Sequence, residues 1–443
     1  MPATPAANPK FVIFTWGCQM NEDDTEQMAS LLLQMGYSPT STPEEADIAL
    51  LVTCSVRRKP EEKAKSKLGQ LKAIKQKRPH MIIGVCGCMA QRLGETLQKQ
   101  YPFIDFVLGT AQIHRIPEVL QEVQASRKFV SALDLDGKVP PRTQRIGKSI
   151  KAFVPVMYGC NNFCTYCVVP YVRGRERSRT VEDIVSEVRE LARMGTKEVT
   201  LIGQNVNSYG ATLNPPIDFP DLLRAINDIQ GIERIRFTTS HPKDMSDRLI
   251  EAMRNLEKVC EHIHLPVQSG DNDVLRAMNR NYTVEHYKER VTALRQAIPD
   301  IAITTDLLVG FPGETEEQFL NTLRLVEEIR FDSAFMFAFN PIPGTAAAQM
   351  PNQVPESIKK ERLKKLIEVQ NRITCEINSA QTGRVYEVLV EGASPKDPTR
   401  LTGLTRQNKT VNFVGVPEMI GSLVDVRITE GHLYGFVGEA VPT

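Results

Sequence analysis

Cys160, Cys164 and Cys167 stand in the run YGCNNFCTYCVVPYVRGRERSR with the spacing Cys-x3-Cys-x2-Cys. Soft thiolates packed this closely suit an iron–sulfur or a zinc centre. The count is as informative as the spacing. A four-iron cluster wants four ligands, usually all cysteine, so three cysteines leave one iron open to hold something else. The competing reading is a structural zinc site, which is normally closed by four Cys or His, typically as two spaced pairs. Outside the triplet, the nearest Cys or His on either side are His114 and His241. A distant residue folding back would be needed to close a zinc site, and the ligand count favours the cluster.

Three further cysteines have a different kind of spacing. FVIFTWGC (11–18), ADIALLVTC (46–54) and MIIGVCGC (81–88) read as buried strands, each followed by a helical pattern. Strands alternating with helices imply a parallel α/β sheet. Cys18, Cys54 and Cys88 therefore fall at the carboxyl ends of three strands, the edge where open parallel sheets bind ligands. This makes a second three-thiolate site, again one ligand short. A lone cysteine here would read as a small buried residue. Three at equivalent strand ends point instead to convergence. Cys86 lies on the same face as Cys88 and is the alternative third ligand. Cys88, past the strand's core, is preferred, and Cys86, Cys260 and Cys375 are read as structural.

The elements that must position these residues fill a chain of 443 residues, room for about three domains at ~150 residues each. A charged fraction of 24% and a net charge of +1 resemble an ordinary soluble protein with no overall basic field. No apolar run is long enough to span a membrane. The start, MPATPAANPK, lacks the apolar core of a signal peptide and reads as a frayed tail. Nine cysteines in such a chain suit metal binding in a reducing cytosol better than disulfides. After the first α/β unit, with its short FVLGT strand and last helix, residues 125–150 read as a linker containing Pro140 and Pro141. Six further strand–helix units follow, with strands at 152–158, 198–205, 234–240, 262–269, 302–310 and 333–341. That is a partial barrel, short of the eight units of a closed one, with the Cys triplet after its first strand, at the end where barrel active sites sit. A helix from about Pro355 to Ala380 leads to short strands and turns that suggest a small antiparallel β-barrel.

With these residues in place, the chain resembles the radical S-adenosylmethionine (SAM) methylthiotransferase family. TWGCQMN around Cys18, VTCSVR around Cys54 and GCMAQR around Cys88 resemble its amino-terminal domain. CNNFCTYCVVPYVRGRERSR resembles its radical SAM signature, and VLVEGASPKDPTRLTGLTRQNKTVNF its TRAM RNA-binding domain. The resemblance covers nearly the whole chain and implies an α/β protein of three domains. These are an open parallel sheet domain over 9–125, a partial (βα)6 radical SAM core over 146–376 and a TRAM barrel over 379–441. It implies that Cys160, Cys164 and Cys167 hold a 4Fe–4S cluster whose open iron binds SAM, and that Cys18, Cys54 and Cys88 hold an auxiliary 4Fe–4S cluster that takes part in sulfur transfer.

The implied reaction places a methylthio group on carbon 2 of N(6)-isopentenyladenosine at position 37 of tRNA. That carbon bears an unactivated aromatic hydrogen, a task for cofactor radical chemistry rather than side-chain acids and bases. One electron would cleave SAM to a 5′-deoxyadenosyl radical, and a second SAM would supply the methyl group. The implied partners are the tRNA anticodon loop, an electron donor such as flavodoxin or ferredoxin, and a sulfur donor that the sequence does not name. A cytoplasmic monomer without membrane contact is expected. SAM contacts are expected from Tyr166, Gly203, Gln204, Asn205, Ser240, Gln268, Gly310 and Phe311.

Plainer readings stand beside these. Tyr166 fits equally as a core aromatic, Thr315-x-x-Gln318 is a helix capping box, and Gly310 and Gly313 serve as turn glycines. His241 and His264 fit core or surface roles as well as a site. The Lys-rich run 57–78 fits phosphate contact or, more commonly, the solvated face of a helix. Trp16 and Cys86 depart from the family pattern. Rival functions are a sister methylthiotransferase acting on threonylcarbamoyl-adenosine or on a ribosomal-protein aspartate, and a non-catalytic iron–sulfur RNA-binding protein. GCQMN favours the isopentenyl enzyme, and the open ligand positions favour catalysis.

Overall fold

The structure, a computed structural model, describes residues 8–55, 58–135, 137–143, 145 and 147–442. Residues 1–7 of the expected frayed tail, Val56 and Arg57 of the VTCSVR string, and Asp136, Gln144 and Ile146 of the expected linker lie outside the described residues.

The first unit is a six-stranded parallel sheet of β1 (Lys10–Trp16), β2 (Ser38–Pro39), β3 (Ile48–Thr53), β4 (Ile82–Cys86), β5 (Phe106–Leu108) and β6 (Val130–Ala132), in the order β2-β1-β3-β4-β5-β6. Every residue of β3 and β4 is buried, as expected of strands covered by helices on both faces. One face packs Leu50 and Val52 against Met28 and Leu120, the other Leu51 and Ile83 against Leu68 and Leu71. β2 and β6 are additions to the sequence reading. Strands of two and three residues are too short to show periodicity, and β6 lies inside the stretch read as linker. Linker character therefore begins only after Ala132.

The second unit has six parallel strands in two sheets. β7 (Lys151–Pro155), β10 (Glu198–Ile202) and β11 (Arg234–Phe237) form one; β12 (His262–His264), β13 (Ala302–Val309) and β14 (Ser333–Ala338) form the other. A bridge between Ile235 and Val259 joins them into the expected partial barrel. Val199, Leu201, Ile235, Ile263, Ile303 and Leu307 point to the surrounding helices and build the main core. The alternate residues, among them Arg236, His264, Thr304 and Asp306, face the barrel interior. Thr180, Ser246, Thr283 and Thr315 cap four of the outer helices, which fixes where each strand-to-helix turn ends. The short antiparallel pair β8 (Met157–Tyr158) and β9 (Arg177–Ser178) brackets the Cys triplet.

The third unit is a closed barrel of β15 (Val385–Ala393), β16 (Leu401–Thr405), β17 (Thr410–Val414), β18 (Leu423–His432) and β19 (Gly435–Ala440). Its pairings are antiparallel except β17 with β19, which is parallel. It docks on the amino-terminal end of the partial barrel. Arg234 donates to the carbonyls of Leu404 (2.6 Å) and Glu387 (2.9 Å), and Arg236 to those of Thr405 (2.6 Å) and Arg406 (2.8 Å).

Candidate active site

Cys18, Cys54 and Cys88 follow β1, β3 and β4, which are neighbours in the sheet. Each strand end therefore delivers its cysteine to the same edge. The Cys54 N–H donates to Trp16 O (3.0 Å), which stitches two of the ends together. Cys18 caps the helix Gln19–Gln34, with Asn21 Oδ1 accepting from its N–H (3.3 Å). Cys88 opens the helix Cys88–Leu93 after Gly87, whose φ of +86° and ψ of −155° only glycine adopts readily. A Cβ there would also stand 3.2 Å from Thr53 O. Burial pushes the Cys88 thiol up to about 12, with Cys54 and Cys18 adding to the rise and Arg173 opposing it. Cys88 thus shares its electrostatic neighbourhood with the other two. Cys86 does not: it is fully buried among Leu50, Val52 and Phe106 on a core face. Cys88 and Cys86 therefore lie in different surroundings, the one beside Cys18 and Cys54 and the other in the sheet core.

Cys160, Cys164 and Cys167 occupy a tight loop between β8 and β9. Cys160 N–H donates to Gly174 O (3.1 Å), Cys167 N–H to Cys164 O (2.9 Å), and Asn162 N–H to Cys160 Sγ (3.5 Å). Gly159 has φ +79°, and a Cβ on it would lie 2.1 Å from Arg175 O. Burial pushes the Cys160 thiol up to about 11 and the Cys167 thiol to about 12, with Cys164 contributing to both.

These residues fit cluster ligation by their chemistry. None of the nine cysteines is in a disulfide. Thiols this basic stay protonated at neutral pH, so binding a metal there releases protons. Among the described residues no three Cys, His, Asp or Glu groups suit one metal ion. A four-iron cluster asks something different, since each thiolate binds its own iron and the sulfurs stand apart around the cube.

The two triplets are joined by one short segment. Val168 and Val172, just past Cys167, pack against Cys88. Arg173 Nη2 pairs with Asp24 Oδ2 at 2.8 Å, both side chains buried. Burial raises the Asp24 carboxyl to about 6 against the pull of Arg173. Thr110 Oγ1 donates to Val172 O (2.6 Å).

The expected SAM contacts divide into two groups. Gln204 Oε1 accepts from Gly159 N–H, tying the end of β10 to the Cys loop. Gly203 fits beside Met157, whose Cγ would be 2.6 Å from an added Cβ. Asn205 Nδ2 donates to Asp244 (2.7 Å) while its Oδ1, Ser240 Oγ and His241 Nε2 are buried without partners. Orphaned polar atoms of this kind await a ligand or water. Tyr166 packs on the apolar cluster that contains Phe311 and Met278. Gln268 (φ +70°) and Gly310 (φ +72°) occupy backbone bends. Gly310 N–H donates to Glu314 Oε1 (2.8 Å), and the Thr315–Gln318 capping box forms. The plainer readings of Gly310 and of the capping box are thus present in the structure. His264 lies inside the barrel, with Nδ1 3.0 Å from Thr304 Oγ1 and Nε2 3.5 Å from Asp306. His241 is buried against Tyr282, and burial pushes its imidazole down to about 2. In the Lys-rich helix, Lys65 pairs with Glu61 and Lys75 with Asp105, while Lys67 lies 4.6 Å from the Phe14 ring centroid.

A partial barrel carrying a three-cysteine loop after its first strand defines a radical SAM enzyme. Residues 154–326 match the radical SAM superfamily, residues 10–109 the uncharacterized protein family UPF0004, and residues 379–441 the TRAM domain. The solved structure of the radical SAM methyltransferase TsrM from Kitasatospora setae is similar in fold, at a TM-score of 0.57 and 12% identity over 77% of this chain and 74% of that one. The tRNA-2-methylthio-N(6)-dimethylallyladenosine synthase of Thermoanaerobacter sp. (strain X514) is 51% identical over 438 residues, 98% of this chain and 93% of that protein. The synthase of the same name from Clostridioides difficile (strain 630) is 50% identical over 429 residues, 96% of this chain and 90% of that one. The chain belongs to the tRNA-2-methylthio-N(6)-dimethylallyladenosine synthase family.

Proposed function

We propose that the protein transfers a methylthio group to carbon 2 of N(6)-isopentenyladenosine at position 37 of tRNA. The observation that carries this reading is the pair of three-thiol sites on adjoining edges of two parallel sheets, joined through Val168–Arg173. The names of the relatives favour the dimethylallyl-adenosine substrate over the threonylcarbamoyl and ribosomal-aspartate alternatives. Cys160, Cys164 and Cys167 would hold the SAM-binding 4Fe–4S cluster, and Cys18, Cys54 and Cys88 the auxiliary one. When bound, these groups supply one-electron cleavage of SAM, hydrogen abstraction and sulfur transfer.

The chain's own residues bind, orient and shield. Ser240 Oγ and Asn205 Oδ1 offer buried hydrogen-bonding capacity to the SAM polar groups. Tyr166 and Phe311 line the apolar side of that site, while Gly203, Gln204, Gln268 and Gly310 shape its backbone. Work is divided among the units 9–125, 146–376 and 379–441, for auxiliary cluster, radical chemistry and RNA grip. The RNA target is the anticodon loop, whose unstacked bases are open to edge and stacking contacts. A one-electron donor of the flavodoxin or ferredoxin class completes the system. No helix among the described residues is long and apolar enough to cross a membrane. The reading takes the protein as a cytoplasmic monomer.

Mass spectrometry of digested tRNA from a strain lacking the protein tests this. The methylthiolated nucleoside should be missing and isopentenyladenosine retained. Wild-type protein should restore it, and C18A or C164A should not. Restoration by either variant would overturn the assignment.

A further inference from the structure

Arg280 lies in the turn after the helix Asn272–Ala277 and is 7% exposed. Its Nη1 is 3.5 Å from Cys164 Sγ, its Nη2 donates to Pro266 O (2.9 Å), and its Nε to the Tyr282 hydroxyl (3.0 Å). The guanidinium also stacks over the Tyr282 ring at 5.1 Å. A buried guanidinium costs several kcal/mol to desolvate unless an anion faces it. Among the described residues no carboxylate pairs with it, and the group its Nη1 faces is the Cys164 sulfur. A metal bound at Cys164 would deprotonate it and supply the facing anion.

The turn carrying Arg280 is fixed to the Cys loop by four more hydrogen bonds. Asn279, at φ +58°, donates from Nδ2 to Asn162 O (3.1 Å) and Phe163 O (3.0 Å). Thr165 N–H donates to Met278 O (3.0 Å), and Thr165 Oγ1 to Ala277 O (2.9 Å). Arg280 is therefore held at the sulfur rather than resting there on a flexible stem.

We infer that Arg280 is a positioning residue that donates a charged hydrogen bond to the Cys164 sulfur and thereby eases reduction of the cluster bound at Cys160, Cys164 and Cys167. This rests on the cluster assignment proposed above. The step is the entry of one electron from a low-potential one-electron donor protein into the cluster, which gains one negative charge while no bond is made or broken. Hydrogen bonds to cluster sulfurs and nearby charge are among the factors that set such potentials. A cation at the ligand sulfur stabilises the reduced, more negative state.

The test is an EPR-monitored redox titration of the full-length protein carrying both clusters. The signal that changes on adding SAM identifies the cluster at the Cys160 loop. In R280M the reduced-to-oxidised ratio at a fixed potential should fall about tenfold, a midpoint about 59 mV lower for a one-electron couple, with iron content unchanged. R280Q, which keeps hydrogen-bonding capacity but not the charge, should fall in between. If R280M holds no cluster, R280Q alone decides, and a lowered midpoint supports the assignment. A wild-type midpoint in a loaded variant overturns it. Failure of any signal to respond to SAM in wild-type protein would instead count against the proposed function.

Discussion

At the residue scale the site depends on charges that the core can tolerate only in company. Arg173 and Asp24 are the clearest case, a fully buried pair from the two units that flank the candidate clusters. Removing one partner of such a pair leaves an uncompensated group and costs about 3–5 kcal/mol. R173M should therefore lower the stability measured by urea unfolding by about that amount. A surface-like change of under about 0.5 kcal/mol would show that the pair is not buried as described. The Cys160 triplet stands out in the sequence because its spacing is local and its chemistry narrow, and Cys18, Cys54 and Cys88 because each follows a readable strand. Arg280 and Arg173 do not stand out. They reach partners 116 and 149 residues away, and a basic residue in MNRNY or YVRGR carries no mark of burial until the chain is folded.

At the element scale, the strand-and-turn logic that placed the second triplet rests on the backbone at the ends of β1, β3 and β4. Gly87 is the strictest point, since its dihedrals exclude side chains and a Cβ would crowd Thr53 O. G87A should strain that turn by about 1–3 kcal/mol and misdirect Cys88. The expected result is selective loss of the auxiliary cluster, with iron per chain falling to about half that of wild type on anaerobic reconstitution. Full iron loading in G87A would contradict the assignment of Cys88. The long strands and capped helices were readable because alternation and caps are local signals. β2 and β6 were missed because pairing with a neighbour, not sequence pattern, makes them strands. The linker residues 137–143 and Arg145 were read as a spacer, yet they carry much of the joint between two units.

At the scale of the whole molecule, that joint is electrostatic. Arg142 makes a bidentate pair with Asp23 of the first unit (2.7 and 2.8 Å) and also reaches Glu187 of the second (3.0 Å). Arg145 and Arg179 converge on the same Glu187. Burial alone would raise the Glu187 carboxyl, but Arg142, Arg179 and Arg145 outweigh it and hold the group down to about 2. A depressed folded-state value means that the native state resists protonation. The stabilisation is complete above the ordinary value of 4.5 and is lost as pH falls toward 2. It amounts to about 3 kcal/mol at 1.36 kcal/mol per unit. Wild-type urea midpoints should decline between these pH values, and E187Q, already weaker at neutral pH, should decline less. Parallel declines would remove Glu187 from the account.

The carboxyl-terminal barrel docks on the strand β11 through Arg234 and Arg236. The central claim is that one chain holds two four-iron clusters, each on three thiolates. Iron analysis with Mössbauer spectroscopy after anaerobic reconstitution tests it most directly. About eight irons per chain should bind, with about four remaining both in C18A/C54A/C88A and in C160A/C164A/C167A. Zinc in place of iron at the Cys160 loop, or a triple variant that keeps all eight, would contradict it.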